Sequence, residues 1–551
     1  MFGTWINQAD ILKVDQNERS EAPPAWAEST LRELTPFVLN RYPRRQRLES
    51  LLAQTNGLEA DQVLVTNGSD EAIQYLFQSL AVNQRIILPL PTFGIYQDQI
   101  RRWPVDAVVI PPLAGLRLNM DATIDSIKQR DLVIIVRPNN PTGEMVGDNQ
   151  MNRLWRVCHE RGARLLLDEA YTDFCGTSWI DRVTKGSPLM VLRTFSKAYG
   201  LAGMRVGYAA ADALWLNQLR GRCMPYNVST PALMLAERGL EADAQRDVAN
   251  YTKSVRANRM ALCRLLDDLK IPYVPSEANF VMIQLGLERA QFFRSAMAHQ
   301  NVAVRMFDRP ELVGWVRVSI PLNIERLLHA VKMALSPQLV CLDVDGCLVD
   351  VRTSFEQAIV EAVRRLGGGE VTREEIVAKR RLGGYNDDWV LTHALLIDRG
   401  CSVPMALVRK TCDAIYWGTG DCLGTAANET PLLEQETREY LCSRATLSLV
   451  TGRSRRELGP AIELLGLEPL IPAATIDSVS NGKPDPEGIL MMMQKTNCQR
   501  AWMVGDNVDD IAAAVAAGAI PIGVGSDLGD ALMAAGAIYV LDDINKIRSI
   551  L

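Results

Sequence analysis

Histidine is nearly missing from this chain: His159, His299, His329 and His393 are the four in 551 residues, and none falls inside a candidate catalytic motif. A histidine-built metallophosphatase is thereby excluded, and His159 and His329, in expected helices, read as structural. No Cys-x-x-Cys pair occurs among the 11 cysteines, which therefore read as reduced thiols of a cytoplasmic protein rather than a zinc site. No apolar run approaches the roughly 20 residues that cross a bilayer. No basic run occurs either, and the net charge is -6, so neither nucleic acid nor a membrane is expected as a partner. Met1–Asp10 lacks a basic region followed by an apolar one, so no secretory signal is expected. What remains is an ordinary globular composition, 48% hydrophobic and 23% charged, with length for roughly three or four domain-sized units.

Short apolar runs alternate with helical periodicity through the first half. Val63–Thr66 precedes Gly68-Ser69-Asp70 and an apolar-periodic run; Ile86–Pro89 precedes Phe93; Leu132–Val136 precedes Asn140; Arg164–Leu167 precedes Asp168 and Tyr171. This alternation implies a mostly parallel sheet between helices, whose ligands gather at the carboxyl ends of the strands. Glycine and cap residues opening a helix make an anion site, although ordinary helices start the same way. An aspartate ending a strand suits a pyridinium nitrogen, because an opposite charge keeps that nitrogen protonated. Taken singly, Asp168 is equally a helix cap and Phe93 equally core. Lys197 follows the apolar run Leu189–Leu192, with Ser196 beside it, Arg205 eight residues on and a second strand expected at Val206–Ala210. A lysine becomes a nucleophile when its amine is desolvated or held near a cation, and Ser196 and Arg205 are suited to a phosphate.

Ser196-Lys197-x-x-x-Leu201-x-Gly203-x-Arg205-x-Gly207 resembles the lysine segment of fold-type I pyridoxal-phosphate (PLP) enzymes. Together with Arg41-Tyr42-Pro43, the motifs resemble the histidinol-phosphate aminotransferases of aminotransferase class I/II over roughly residues 10–335. The resemblance implies that Lys197 binds PLP covalently, Asp168 pairs with the pyridine nitrogen, Asn140 and Tyr171 bond the ring hydroxyl and Phe93, more often tyrosine in the family, stacks on the ring. It assigns the cofactor phosphate to Gly68, Ser69, Asp70, Ser196 and Arg205, with Tyr42 reaching the phosphate of a neighbouring subunit in a homodimer. Arg317 and Arg305 are implied to hold substrate, Arg317 the carboxylate of an amino donor such as glutamate. Two departures concern the amino acceptor: the family's N-terminal Tyr-x-Pro-Gly is not visible, and Pro321-Leu322 replaces Gly-Thr.

A boundary is expected at Ser336-Pro337. Beyond it Leu339–Leu342 reads as a buried strand ending in Asp343-Val344-Asp345. Two aspartates so spaced can supply a nucleophile and an acid/base, with magnesium bridging nucleophile and phosphate; the competing reading is an acidic turn. Thr451-Gly452-Arg453, Gly482-Lys483-Pro484-Asp485 and Gly505-Asp506-Asn507-Val508-Asp509-Asp510 follow in order. The four together resemble the motifs of the haloacid dehalogenase (HAD) superfamily. They imply Asp343 as nucleophile, Asp345 as acid/base, and Thr451 and Lys483 as phosphoryl stabilisers. Mg2+ would be held by Asp343, Asp345 (through its carbonyl) and Asp506, with Asp510 behind it. Cys347 stands where threonine is common. The insert after Asp350 resembles a helical cap, with Gly383–Trp389 as the loop that reads the leaving group.

The expected architecture is α/β: a fold-type I PLP aminotransferase over 1–336, then a HAD phosphatase over 337–551. The first comprises a large α/β domain at about 40–245 and a small α+β domain from the N-terminal segment and about 246–336. The second comprises a Rossmann-like core, 337–350 and 446–551, and a helical cap at about 351–445. Consecutive reactions are expected: imidazole-acetol phosphate plus glutamate to histidinol phosphate, then hydrolysis to histidinol. Two other readings stand: the same chemistries on another small phosphorylated ketone or amino acid, including decarboxylation of a phosphothreonine type, or one idle, regulatory half.

Overall fold

The computed structural model describes residues 11–38, 40–80, 84–385, 387–420, 422–468, 471–525 and 527–551. Met1–Asp10, on which the expectation about a secretory signal rests, and Asn386 of the cap turn lie outside them. Two compact units result, one of residues up to 290 and 302–328, the other of residues 291–301 and 329–551. No helix among the described residues is long and apolar enough to cross a membrane.

The first unit holds a seven-stranded sheet in the order Val63–Thr66, Gly207–Ala211, Leu189–Thr194, Arg164–Asp168, Leu132–Val136, Ile86–Pro89, Ala107–Ile110. Its pairs are parallel except those of Gly207–Ala211, which runs antiparallel to both neighbours. Every residue of Val63–Thr66, Ile86–Pro89 and Leu132–Val136 is buried, as expected of strands covered by helices on both faces. Register aligns Val136 with Asp168 and Asp168 with Leu192, so the segments carrying Asn140, Asp168 and Lys197 leave the sheet at one edge. A second, antiparallel sheet in the order Arg305–Met306, Trp315–Ser319, Phe280–Gln284, Tyr273–Val274 supplies Arg305 and Arg317. Leu12–Lys13 pairs with Val302–Ala303 and leads the N-terminal segment towards Asn17.

The second unit is built on a parallel six-stranded sheet: Ala473–Ala474, Thr446–Val450, Leu339–Leu342, Ala501–Gly505, Ile520–Val524, Tyr539–Leu541. The first strand in sequence is central, so the chain crosses to both sides of it and the ligand crevice opens at its carboxyl end. Leu342 pairs with Leu449 on one side and Val504 on the other; hence Asp343, Thr451 and Asp506 emerge level with one another. Between Val349–Asp350 and Thr430–Pro431 the described residues form four α-helices, Phe355–Arg365, Arg373–Arg380, Asp388–Asp398 and Met405–Trp417. Phe355 stacks on Tyr416 with ring centres 4.2 Å apart, and Val349–Asp350 pairs with Thr430–Pro431 where this insert joins the core.

Trp502 anchors one face of this sheet. It is fully buried, its ring centre lies 4.9 Å from that of Phe292, and its indole N–H donates to the carbonyl of Met333 at 2.9 Å. Both partners precede Ser336-Pro337 in sequence yet belong to this unit. Truncating Trp502 to alanine removes the buried ring and leaves that carbonyl without its donor, so Trp502→Ala should destabilise the unit by about 3–5 kcal/mol in denaturant titration.

Candidate active sites

In the first unit the edge residues surround a cavity of about 850 Å³, lined among others by Phe93, Asn140, Asp168, Lys197, Arg205 and Arg317. Asp168, 2% exposed, is held at both oxygens: the Tyr96 hydroxyl donates to Oδ2 at 2.9 Å and the Ala170 amide to Oδ1 at 3.1 Å. Burial pushes its pKa up to about 6 against the pull of these donors. A buried carboxylate of this kind is stabilised by a cation, which a protonated pyridine supplies. Tyr171 Oη accepts from Asn140 Nδ2 at 3.2 Å and from Asn17 Nδ2 at 3.1 Å. Asn140 Oδ1 in turn accepts from Arg317 at 2.8 Å. The Lys197 ammonium donates to the Gln16 carbonyl at 3.3 Å. Its pKa is lowered to about 8, first by burial and then by the Arg317 charge.

An anion cradle adjoins the lysine. Arg205, in the left-handed region at φ 54°, reaches Ser196 Oγ at 3.5 Å and Asp70 at 3.0 Å. Gly68 opens the helix Gly68–Leu80 at φ 74°, and a Cβ there would stand 2.7 Å from the Arg205 guanidinium. At Gly207 a Cβ would meet the Ser69 amide nitrogen at 2.8 Å. Both glycines thus keep the helix start and the guanidinium open to a phosphate, and the residues present fit PLP.

Arg305 and Arg317 pair directly across antiparallel strands. Like charges so placed repel unless an anion lies between them, and Arg317 Nε is buried with no protein partner among the described residues. Tyr42 lies apart from this cavity, 77% exposed and stacked on Tyr226 with ring centres 4.3 Å apart.

In the second unit Asp343, 3% exposed, accepts from Lys483 at 2.7 Å, and the same ammonium donates to the Val450 carbonyl at 3.0 Å. Lys483 also pairs with Asp510. Carboxylate oxygens of Asp343, Asp506 and Asp510 lie within 4.8 Å of one another. Burial, then the other carboxylates, raises the pKa of both Asp343 and Asp506. Lys483 alone does not balance three such groups, and an all-oxygen donor set suits a hard cation such as Mg2+. Glycine is required beside it, since a Cβ on Gly346 would fall 2.1 Å from Asp506. Asp510, expected behind the metal, lies beside Asp343 and Asp506 and is engaged by the Asn507 amide at 3.0 Å and by Lys483. The Asp345 carboxylate points elsewhere, to Arg453 Nε at 2.8 Å. Thr451 Oγ1 accepts from the Arg453 amide at 3.2 Å.

Sequence reasoning gave no role to Tyr96, Asn17, Arg453 or Glu429, which hold Asp168, Tyr171 and Asp345 in place. Tyr96 could have been found from its spacing, one helical turn after Phe93. Glu429, which accepts from Arg453 at 3.0 Å and from Tyr416 at 2.8 Å, carries no local signal.

The two arrangements define an α/β enzyme with two active centres, and comparison with known proteins agrees. Residues 9–333 match the family model of aminotransferase class I and II; the chain belongs to this family. Residues 337–518 match the haloacid dehalogenase-like hydrolase model. Histidinol-phosphate aminotransferase of Pyrococcus furiosus is 32% identical over 310 residues, 56% of this chain and 87% of that protein. Histidinol-phosphate aminotransferase 1, chloroplastic, of Arabidopsis thaliana is 32% identical over 56% of this chain and 74% of its own length. The fold also matches the crystal structure of the Sinorhizobium meliloti histidinol-phosphate aminotransferase with pyridoxal-5'-phosphate, with TM-score 0.52, 20% identity, and coverage of 58% of this chain and 89% of that one. PLP is the cofactor of the aminotransferase part, and HAD hydrolases use Mg2+.

Two measurements test these environments. The nucleophile is the neutral amine, so covalent capture of PLP by apoprotein, followed by absorbance, should accelerate as pH rises through about 8 and level off above it; an unperturbed lysine would go on gaining beyond pH ~10. Tyr96→Phe removes a donor to a buried carboxylate and should weaken PLP affinity roughly tenfold, about 1.4 kcal/mol, by equilibrium dialysis.

Proposed function

We propose that the chain carries out two consecutive reactions on one small molecule: transamination of imidazole-acetol phosphate by glutamate to histidinol phosphate, and Mg2+-dependent hydrolysis of that ester to histidinol. One observation carries this reading: the chain joins an amine-transfer site that has a second anion-binding locus, the Arg305–Arg317 pair, to a site equipped for phosphate esters. Its relatives in Pyrococcus furiosus and Arabidopsis thaliana are histidinol-phosphate aminotransferases, which supports the same substrate.

PLP would be held by Lys197, by Asp168 at its ring nitrogen, by Asn140 and Tyr171 at its hydroxyl, under Phe93, and by Gly68, Ser69, Asp70, Ser196 and Arg205 at its phosphate; it supplies an electron sink. Asp168 keeps a positive charge at the ring nitrogen. Lys197 Nζ, displaced by the substrate amine, takes and returns the proton at the amine-bearing carbon of the substrate, and burial suits it to do so near neutral pH. Arg317 grips the donor carboxylate in two-pronged fashion, and Arg305 the opposite end of the acceptor. Tyr42, too exposed to serve its own cavity, is assigned to the neighbouring subunit of a homodimer. The protein is assigned to the cytoplasm.

In the second reaction Mg2+ would be held by Asp343 and Asp506 with the Asp345 carbonyl, Asp510 adjoining, and would neutralise charge on the phosphate. Asp343 attacks phosphorus and the P–O bond to the alcohol breaks, with the leaving oxygen taking its proton from Asp345. Asp345 then takes a proton from water, which attacks the aspartyl-phosphate and releases inorganic phosphate while restoring Asp343. Thr451 and Lys483 hold the phosphoryl oxygens as their charge redistributes.

Purified protein given PLP, Mg2+, glutamate and imidazole-acetol phosphate should yield histidinol by mass spectrometry. Asp343→Asn should stop at histidinol phosphate, and Lys197→Ala should form neither. Carbon dioxide release from a phosphorylated amino acid without an amino donor would instead assign a decarboxylase, and retention of both activities in both variants would overturn the site assignments.

A further inference from the structure

The hydrolytic mechanism fixes where the alcohol part of the ester must lie. Asp345 delivers a proton to the leaving oxygen, so the leaving group must occupy the space against the Asp345 side chain. That space is a cavity of about 230 Å³ between core loops and cap helices within the second unit. Phe355 and Trp389, with ring centres 5.5 Å apart, give it an apolar wall. The rest of the lining is strongly one-signed: beyond Asp345 it has five carboxylates, Asp387, Asp388, Asp413, Glu457 and Asp477, against Arg409 and Arg453.

The charges do not cancel in place. Arg453 is engaged by Asp345 at 2.8 Å and by Glu429 at 3.0 Å. Arg409 is taken by Asp387 at 2.5 Å, and Asp388 is matched by Arg380 at 2.9 Å. Glu457 accepts from the Ser454 amide at 2.7 Å and so caps its own helix. Asp477 accepts from the backbone amide of Arg455 at 2.8 Å. Asp413 lies one helical turn after Arg409 and, like Asp477, makes no ion pair among the described residues. Two carboxylates without a cation therefore face the space the leaving group must fill.

We propose that this cavity is a leaving-group pocket for cations: the phosphatase site takes phosphomonoesters of amino alcohols, and Asp413 and Asp477 select the ammonium. The inference rests on the phosphomonoesterase reading of Asp343 and Asp345 but not on histidinol phosphate as the substrate. A tenfold preference corresponds to about 1.4 kcal/mol, which is within reach of two carboxylates acting on one ammonium.

The test compares kcat/KM for 2-aminoethyl phosphate with that for its neutral isostere n-propyl phosphate in the full-length protein with Mg2+, with 4-nitrophenyl phosphate as a generic ester. The amine should be preferred at least tenfold, and the preference should shrink with added salt because both carboxylates are exposed. Asp413→Asn and Asp477→Asn should each lower the ratio several-fold, mainly through KM. Asp413→Lys should turn the preference towards 2-carboxyethyl phosphate, and melting temperatures would verify that the variants are folded. Turnover of 4-nitrophenyl phosphate with an amine-to-neutral ratio near one, or a ratio unmoved by all three variants, would overturn the cation pocket alone. No turnover of any ester would overturn the phosphomonoesterase reading beneath it. Amine preference without hydrolysis of histidinol phosphate would uphold the pocket and reject that substrate.

Discussion

A parallel strand can be joined to its neighbour only by a crossover that returns the chain to the edge from which it started, so the carboxyl ends of all such strands fall on one side. Both units obey this constraint, and both place their chemistry where it leaves loops and helix starts together. In the first, Asn140, Asp168 and Lys197 come from three neighbouring strands whose register is fixed by side chains buried on both faces. In the second, Asp343, Thr451 and Asp506 emerge level because Leu342 lies between Leu449 and Val504. The packing that stabilises each sheet is also what brings these side chains within reach of one another.

Both centres concentrate charge that the protein alone leaves unbalanced, with opposite signs. Around Lys197 the excess is positive at the substrate end, where Arg305 faces Arg317 across a strand pair. Around Asp343 it is negative, with three carboxylates around one lysine. Such groups are costly in a folded chain and become favourable when a ligand of the other sign arrives. The polypeptide thereby stores selectivity for an anion at one centre and a cation at the other. Asp168 follows the same logic at a single residue: burial raises its pKa, and a positive ring nitrogen restores its charge.

The parts written locally in the sequence were the easiest to read. Buried strands appear as short apolar runs, and Asp168, Asp343 and Asp506 end or directly follow one, so strand, loop and candidate site residue are legible together. The strand expected at Val206–Ala210 begins one residue later, at Gly207, because the Val206 carbonyl accepts from the Phe195 amide at 3.1 Å to close the lysine loop. Long-range pairing was not legible. Nothing near Glu429 indicates that it meets Arg453, and nothing near Phe292 or Met333 indicates that they cover Trp502. These contacts depend on how separate elements stack, a property of the whole unit rather than of any window of residues. Asp345 illustrates the limit within one motif: its position after the strand was plain, whereas its partner Arg453 is brought to it from 108 residues away.

The insert that carries the cap helices leaves the core at Val349–Asp350 and returns through Thr430–Pro431, two strands paired with each other. Entry and exit are therefore neighbours, and from the standpoint of the parallel sheet some eighty residues amount to a single surface loop. Closing a longer loop costs little more than closing a shorter one. The helices can thus be lengthened, reshaped or recharged without disturbing the strand register that aligns Asp343 with Asp506. The cap's share of the proposed leaving-group pocket, Asp413 included, is in this way encoded apart from the chemistry at phosphorus, so it can change while that chemistry is preserved.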